Sequence, residues 1–265
     1  MSIKGTIGEP VSRLEGELKV TGDARYAGDY PAADLLYGYV VNSVITKGTI
    51  EKMDTSRALA VPGVVKVFTH ENKPSLAWFD FKYADMDAPP GSVFKPLHDD
   101  KILYNGQPIA LVVADTFEAA RFAATLVQVV YKEESFSTNI HDNAGKARDP
   151  KKGLATLLKP PPPKPQGDFD QAFSGAAAQV TAHIEHGTEH HNPMELFATT
   201  TVYEGKGKLT IYDKTQGTVN SQLYVCNVFG LKFKNVRVVS PYVGGAFGSV
   251  VAAAVPAVYV RDGSA

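Results

Sequence analysis

The chain has 265 residues, 44% hydrophobic and 10% aromatic, which is enough for one large or two ordinary packed domains. Its 27 Lys and Arg residues nearly balance 28 Asp and Glu residues, and no basic cluster is interleaved with aromatic residues, which disfavours nucleic-acid binding. The single cysteine, Cys226, excludes an intrachain disulfide and a cysteine-rich site for zinc or an iron–sulfur cluster.

The first predicted elements form a strand–helix–strand segment. Residues 35–44 have the β-branched and aromatic content of a strand. A short helix follows, capped by Asp54 or Thr55 and ended by Pro62-Gly63. A second strand covers 64–69, so the pattern predicts a βαβ-like unit.

A similar unit is predicted further along the chain. Residues 107–114 are an apolar strand, 117–126 an alanine-rich helix with Asp115 or Thr116 as its N-cap, and 127–133 another strand. Between the two units, residues 81–100 are rich in Pro, Gly and Asp and predict a long surface loop. The first half is therefore an α/β or α+β domain.

A proline-rich run separates the two halves. Consecutive prolines at 160–163 lack amide donors and favour polyproline II, so we predict a linker at 151–168 between domains at 1–150 and 169–265. The second half is predicted to contain strands within 197–204 and 208–215 and a helix from Thr218 to Phe229, closed by Gly230.

Histidines cluster early in the second half. Four fall within nine residues (His183, His186, His190 and His191), but alternate residues of an extended segment face opposite sides. A strand and turn with exposed or hydrogen-bonded histidines is therefore favoured over a metal site. Glu195 could act as a general base if buried, but a structural role is favoured.

Two further stretches are candidates for binding. Gln216 lies between a predicted strand and a helix start, where backbone amides welcome anions or oxo groups. The position of Gln216 is explained equally well by an ordinary polar turn at a helix start. The glycines in "GGAFGS", 244–249, permit a close backbone approach, and Phe247 offers an apolar wall, but the loop lacks the full phosphate-binding spacing.

Taken in order, several stretches resemble the molybdenum-binding subunit of the xanthine oxidase family, nearest to its bacterial aldehyde oxidoreductase branch. They are "VSRLEGELKVTGDARYAGDY", "KILYNGQPIALVVADTFEAARFAATLVQVVY", "EHHNPMEL", "YDKTQG" and "SPYVGGAFGS". The resemblance implies an α+β fold, in which an α/β hammerhead domain precedes the truncated start of a molybdopterin-binding domain.

The resemblance also implies the site. Gln216 would lie close to the apical oxo ligand of molybdenum, and the backbone of Gly245, Ala246, Phe247 and Gly248 would line the cofactor. The turn Asn192 to Glu195 would have a supporting role. The cofactor would be molybdenum-molybdopterin, expected in its cytosine dinucleotide form, with no direct metal ligand from this chain.

The implied activity is oxidation of aldehydes or related C–H substrates to carboxylic acids with water as oxygen source. The family's base glutamate is expected beyond the C-terminus, so no catalytic residue is assigned and the isolated chain is predicted inactive. The residues after Ser249 also depart from the family pattern, with Pro256 in their middle. The expected partners are an iron–sulfur subunit, an FAD subunit and a complementary large-subunit fragment.

Two other functions stay open. One is a non-catalytic docking or assembly module for the iron–sulfur and flavin subunits. The other is a small enzyme in which His190, His191 and Glu195 bind a metal. No segment approaches the ~18 apolar residues of a membrane span, and no signal-peptide pattern opens the chain, so we expect a cytoplasmic protein. The alternative is periplasmic, by export with a signal-bearing partner.

Overall fold

The structure is a computed structural model that describes residues 8, 10–83, 95–147 and 166–248. These residues form two compact units, the first within 1–88, 93–136 and 193–265 and the second mainly within 137–192. Residues 151–165 of the predicted linker lie outside the described residues. The domain boundaries at 150 and 169 therefore stay predictions. In the described ranges, no helix is long and apolar enough to cross a membrane.

The described residues form six helices and nine strands, with short 3₁₀ turns between some of them. The helices are α1 (Gly16–Thr21), α2 (Ser56–Leu59), α3 (Phe117–Ala124), α4 (Ile140–Asn143), α5 (Phe169–Ser174) and α6 (Thr218–Phe229). The strands are β1 (Tyr37–Asn42), β2 (Gly48–Asp54), β3 (Val64–Thr69), β4 (Lys101–Ile102), β5 (Pro108–Ala114), β6 (Gln128–Glu133), β7 (Thr199–Tyr203), β8 (Leu209–Asp213) and β9 (Val236–Val239).

The first sheet has β5 at its centre, in the order β1-β5-β3, and both pairings are antiparallel. The unbroken apolar sequence of β5 suits a central strand with few exposed positions. Helix α3 begins where the Thr116 hydroxyl accepts a hydrogen bond from the Ala119 N–H, as its sequence predicts. Its alanines pack with Val67 and Val112 in a small core.

The predicted βαβ-like units are wrong, although their strands and helices form. In the first unit, β1 and β3 share a sheet but β5 lies between them. In the second unit, β6 leaves β5 and pairs with β2 in another sheet, of order β4-β2-β6. Strand β2 was not predicted, because its Gly and charged residues have low strand propensity. Its strand conformation is stabilised by pairing with β4 and β6.

The third sheet carries the candidate site. Its order is β7-β8-β9, with β8 antiparallel to β7 and parallel to β9, and α6 connects the parallel pair. Helix α6 spans the predicted residues and ends at Gly230, whose φ of 66° is the left-handed conformation that closes helices. Val225 and Cys226 of this helix pack on Ile211.

The N-terminal segment packs against this same sheet. The Thr200 hydroxyl donates a hydrogen bond of 2.9 Å to the Ala27 carbonyl, and the Tyr30 ring stacks on Tyr212 with centroids 3.7 Å apart. Ala27 and Tyr30, which precede the first sheet in the sequence, thus pack against the third sheet. The predicted α+β class is confirmed.

In the second unit, residues 179–192 form no strand, so the predicted strand there is wrong. His141 and His183 each lie within ion-pair distance of Glu185, at 3.7 and 4.0 Å, and all three side chains are exposed. His186 Nδ1 lies 2.8 Å from the Gly187 carbonyl oxygen. Exposed or hydrogen-bonded histidines therefore form part of this segment.

Candidate functional site

Gln216 lies in the short turn between β8 and α6, as predicted, and its side chain is exposed. The preceding Thr215 is buried and holds this turn. Its hydroxyl oxygen accepts hydrogen bonds from the Gly217 N–H, at 3.1 Å, and from the Ser221 hydroxyl, at 2.9 Å. The first turn of α6 therefore fixes the backbone on both sides of Gln216.

The glycine loop, whose described residues are 240–248, follows β9. It begins beside the turn that contains Gln216. The Ser240 hydroxyl donates a 3.2 Å hydrogen bond to the Thr215 carbonyl. Gly245, Phe247 and Gly248 have φ values of 111°, 46° and 75°, in the left-handed region that glycine tolerates best. The Phe247 side chain is 98% exposed. Ser249 and the residues after it lie outside the described residues.

Glu195 contacts the start of the glycine loop. The Gly244 N–H donates a 2.6 Å hydrogen bond to Glu195 Oε2. A Cβ at position 244 would lie 2.5 Å from Glu195 Cβ, closer than real side chains approach. The other carboxylate oxygen, Oε1, is buried and has no hydrogen-bond partner among the described residues.

Lys214 connects the Glu195 turn to the Gln216 turn. Its side chain is fully buried, and its Nζ donates a 2.5 Å hydrogen bond to the Glu195 carbonyl. The ammonium group also lies 4.2 Å from the centroid of the Phe197 ring. Sequence reasoning missed this residue, because a lysine at the end of a strand is ordinarily exposed and no local pattern predicts its burial.

Three separate stretches of sequence therefore meet at one place: residues 193–195, the turn at 214–217 and the glycine loop from 240. A cavity of about 390 Å³ lies beside this junction, lined in part by Tyr26, Met194, Glu195 and Gly244. The buried Lys214 ammonium donates to the Glu195 carbonyl, and the Gly244 amide donates to the Glu195 carboxylate. The exposed Gln216 side chain can donate a hydrogen bond to an anionic ligand.

The chain's other candidate ligands are two histidines and the single cysteine. His190 and His191 belong to the second unit, whereas Glu195 belongs to the first. Among the described residues, no group of three His, Cys, Asp or Glu side chains could hold a metal ion. Cys226 is buried in the core of the third sheet, and burial raises the pKa of its thiol, which disfavours the reactive thiolate.

Asp213, at the end of β8, is 2% exposed. Burial raises the pKa of its carboxyl group, although hydrogen bonds from Thr199 and Ser221 partly oppose this shift. The Thr199 hydroxyl donates at 2.6 Å. The Asp213 carboxyl, next to the candidate site, is therefore protonated more readily than an exposed aspartate.

This shift predicts that stability depends on pH. Because the pKa of Asp213 is higher in the folded state, its contribution is complete below the unfolded pKa, about 3.9, and is lost as pH rises through the folded pKa. Asp213→Asn should remove this loss, since the amide oxygen can still accept from Thr199. We expect urea unfolding to show that D213N gains stability relative to the wild type as pH rises from 4 to 8.

Gln171→Ala, at an exposed residue that does not titrate, provides the control and should show no such trend. A constant difference between D213N and the wild type at every pH would contradict the assignment of the titration to Asp213.

Comparison with known protein families identifies both halves of the chain. Residues 21–135 match the model for "Aldehyde oxidase and xanthine dehydrogenase, a/b hammerhead domain", and residues 157–261 match "Molybdopterin cofactor-binding domain". The chain therefore combines an α/β hammerhead domain with the start of a molybdopterin cofactor-binding domain.

Individual relatives agree with these matches. The aldehyde oxidoreductase molybdenum-binding subunit PaoC of Escherichia coli O157:H7 is 36% identical over 244 residues, which are 91% of this chain and 31% of that protein. The xanthine dehydrogenase molybdenum-binding subunit of Escherichia coli O157:H7 is 28% identical over 239 residues, which are 89% of this chain and 32% of that protein. The chain is homologous to part of these molybdenum-binding subunits, and the predicted resemblance is confirmed.

Solved structures show the same fold. Aldehyde oxidoreductase from Desulfovibrio gigas superposes with a TM-score of 0.65 at 26% identity, over 89% of this chain and 27% of that one. Quinoline 2-oxidoreductase from Pseudomonas putida 86 gives a TM-score of 0.69 at 22% identity, over 90% of this chain and 30% of that one. The chain thus spans about 30% of the length of the relatives it matches.

Proposed function

We propose that this chain supplies part of the molybdopterin site of a molybdenum hydroxylase that oxidises aldehydes or related C–H substrates. The observation that carries the proposal is the junction of the Gln216 turn with the glycine loop, made by the hydrogen bond from Ser240 to Thr215. Gln216 and the backbone of Gly245, Ala246, Phe247 and Gly248 would hold the cofactor. The aldehyde substrate class rests on the similarity to PaoC.

The residues present fit an anionic cofactor. The left-handed φ values of Gly245, Phe247 and Gly248 can turn amide groups of this loop toward one point. Helix α6, which the structure describes in full, has no acidic side chain in its first turn and directs its N-terminus toward the Gln216 side. The buried Lys214 ammonium, two positions before Gln216 in the sequence, donates to the Glu195 carbonyl, and the Glu195 carboxylate beside Gly244 offsets its positive charge.

The bound group would supply the redox chemistry, and the chain's own residues would bind and orient it. Backbone amides bind an anion without the flexibility of long charged side chains, and the Gln216 carboxamide can donate a hydrogen bond without adding charge. We propose that this chain is inactive alone. Its base glutamate, and the contacts to a cytosine dinucleotide, would come from a complementary large-subunit fragment.

We further propose that the electrons pass to an iron–sulfur subunit and an FAD subunit. Cys226 is the chain's single cysteine and is buried, which supports cluster ligands on another chain. Assembly would take place in the cytoplasm, and the alternative location is the periplasm, reached by export with a signal-bearing partner.

The test is the molybdenum and pterin content of the purified chain, alone and after co-expression with the part of a family large subunit that follows the glycine loop. We expect stoichiometric molybdenum only with the complement. Gln216→Ala should weaken retention of the cofactor about tenfold, the effect of losing one hydrogen bond. Gln171→Ala, which alters an exposed glutamine in α5, should leave retention unchanged.

Absence of molybdenum from the complemented complex would overturn the proposal. Stoichiometric molybdenum in the chain purified alone would instead overturn the proposal that a complementary fragment is needed to bind the cofactor.

A second candidate function is a non-catalytic docking module for the iron–sulfur and flavin subunits. The observation that favours it is an apolar surface in the first unit, where Trp78 is 85% exposed beside a cavity of about 530 Å³ bounded by Phe79 and the end of α6. Capture of those subunits by the metal-free chain, lost on Trp78→Ala, would support this function. Capture that survives this change would count against this surface.

A further inference from the structure

We propose that Glu195 is a positioning residue that fixes the glycine loop through its side chain and ties this loop to the Gln216 turn through its backbone. The role of Glu195 in loop geometry stands on the contacts described above. Its consequence for cofactor retention rests on the proposed function.

The side-chain contact is short and enclosed. Glu195 Oε2 accepts the Gly244 N–H at 2.6 Å, within the range of charge-assisted hydrogen bonds. The two residues lie 49 positions apart in the sequence, so this bond joins segments that no local element connects. Because a Cβ on residue 244 would lie 2.5 Å from Glu195 Cβ, the backbone and the side chain are in direct contact here.

The backbone contact gives the same residue a second connection. The Glu195 carbonyl accepts a hydrogen bond from the buried Lys214 ammonium, and Lys214 directly precedes the Thr215-Gln216 turn. Glu195 therefore contacts both elements that carry the proposed cofactor contacts. A shift of Glu195 would move the glycine loop and the Gln216 turn relative to each other.

The hydrogen bond at Gly244 lies at the start of the segment proposed to bind the cofactor. Gly244 immediately precedes Gly245, Ala246, Phe247 and Gly248, the residues proposed to line the cofactor. Glycine-rich backbone loses more conformational entropy on ordering than any other sequence, so an unanchored loop would sample many conformations. The hydrogen bond at Gly244 restricts the conformations of the residues that follow it before any ligand binds.

The carboxylate also has unused acceptor capacity. Oε1 is buried without a hydrogen-bond partner among the described residues, although buried polar atoms are ordinarily paired. The contact with Gly244 is therefore the only hydrogen bond that the carboxylate makes to a described residue.

The experiment compares Glu195→Gln, Glu195→Ala and Glu195→Asp in the full-length chain. The first readout is amide hydrogen exchange at Gly244, resolved by ¹H–¹⁵N NMR. We expect E195A to accelerate exchange there about tenfold, because the acceptor is lost. E195Q should retain protection, since its amide oxygen can accept the same bond, and E195D should lose it, since its carboxylate is one methylene too short.

The amides of Ser221 and Val225 in α6 serve as internal controls and should keep their exchange rates. Glu189→Ala, at an exposed glutamate, should change neither set. If E195A does not fold, E195D and E195Q still carry the comparison. Unchanged exchange at Gly244 in E195D, or equal acceleration at Gly244 and in α6, would overturn the positioning role.

The second readout is molybdenum content after co-expression with the complementary segment. We expect E195Q to retain most of the metal and E195D to lose most of it. Equal molybdenum in E195D and the wild type would overturn the proposed link between loop anchoring and cofactor retention. If the wild type itself binds no molybdenum while the exchange pattern is as expected, the proposed function fails and the positioning role of Glu195 stands.

Discussion

Replacing Gly244 with alanine is expected to destabilise the protein by about 1–3 kcal/mol, the usual range for adding atoms to a filled site. The added Cβ would lie 2.5 Å from Glu195 Cβ and 3.2 Å from its Oε2, so the loop must move away and lose the hydrogen bond at 2.6 Å. Urea unfolding measures the change in stability. Molybdenum content of the complemented complex measures the loss of cofactor binding.

Gly187→Ala is the matched control, because apart from its two chain neighbours no described residue lies within 4 Å of the position of its Cβ. A double-mutant cycle with Glu195→Gly isolates the contact, since removing the Glu195 side chain removes the steric conflict. Gly244→Ala should then destabilise the E195G protein less than it destabilises the wild type. An equal effect in both backgrounds would show that the conflict lies elsewhere.

Lys214→Ala is expected to destabilise the protein by about 2–5 kcal/mol, the range for truncating a large buried side chain. Lys214 is fully buried, so truncation leaves a cavity and also leaves the Glu195 carbonyl without its donor. Lys214→Met keeps most of the volume and removes only the ammonium group. It should therefore cost less, about 1–3 kcal/mol for the lost charge-assisted hydrogen bond.

The difference between K214A and K214M measures the packing contribution, and both are measured by urea unfolding. Lys208→Ala, at an exposed lysine before β8, should change stability by no more than about 0.5 kcal/mol. If K214A proved as stable as K208A, Lys214 would not be buried in solution as it is in this structure.

Much of the local structure could be predicted from the sequence. Strand β3 and helix α6 have the predicted bounds, and β1, β5 and α3 lie within theirs, because each has a strong periodicity or a recognisable cap. Thr116 and Gly230 act at the predicted helix ends. The family could also be predicted, since its motifs follow one another in order along most of the chain.

The pairing of the strands could not be predicted. The order strand, helix, strand normally indicates a βαβ unit, but β5 inserts between β1 and β3, and β6 joins β2. Non-local pairing depends on partners distant in the sequence, which local periodicity does not report. Strand β2 was missed for the same reason, because its Gly and charged residues gain their strand conformation from β6 and β4.

By itself, the sequence determined many of the elements, although not β2, together with the fold class, the family resemblance and the two motifs that contain Gln216 and Phe247. The tertiary structure decided how those motifs meet. It placed the Glu195 carboxylate on the Gly244 amide and buried Lys214 between the two turns. These contacts join residues 19 and 49 positions apart. Their physical basis is the packing of the third sheet, which a one-dimensional pattern does not encode.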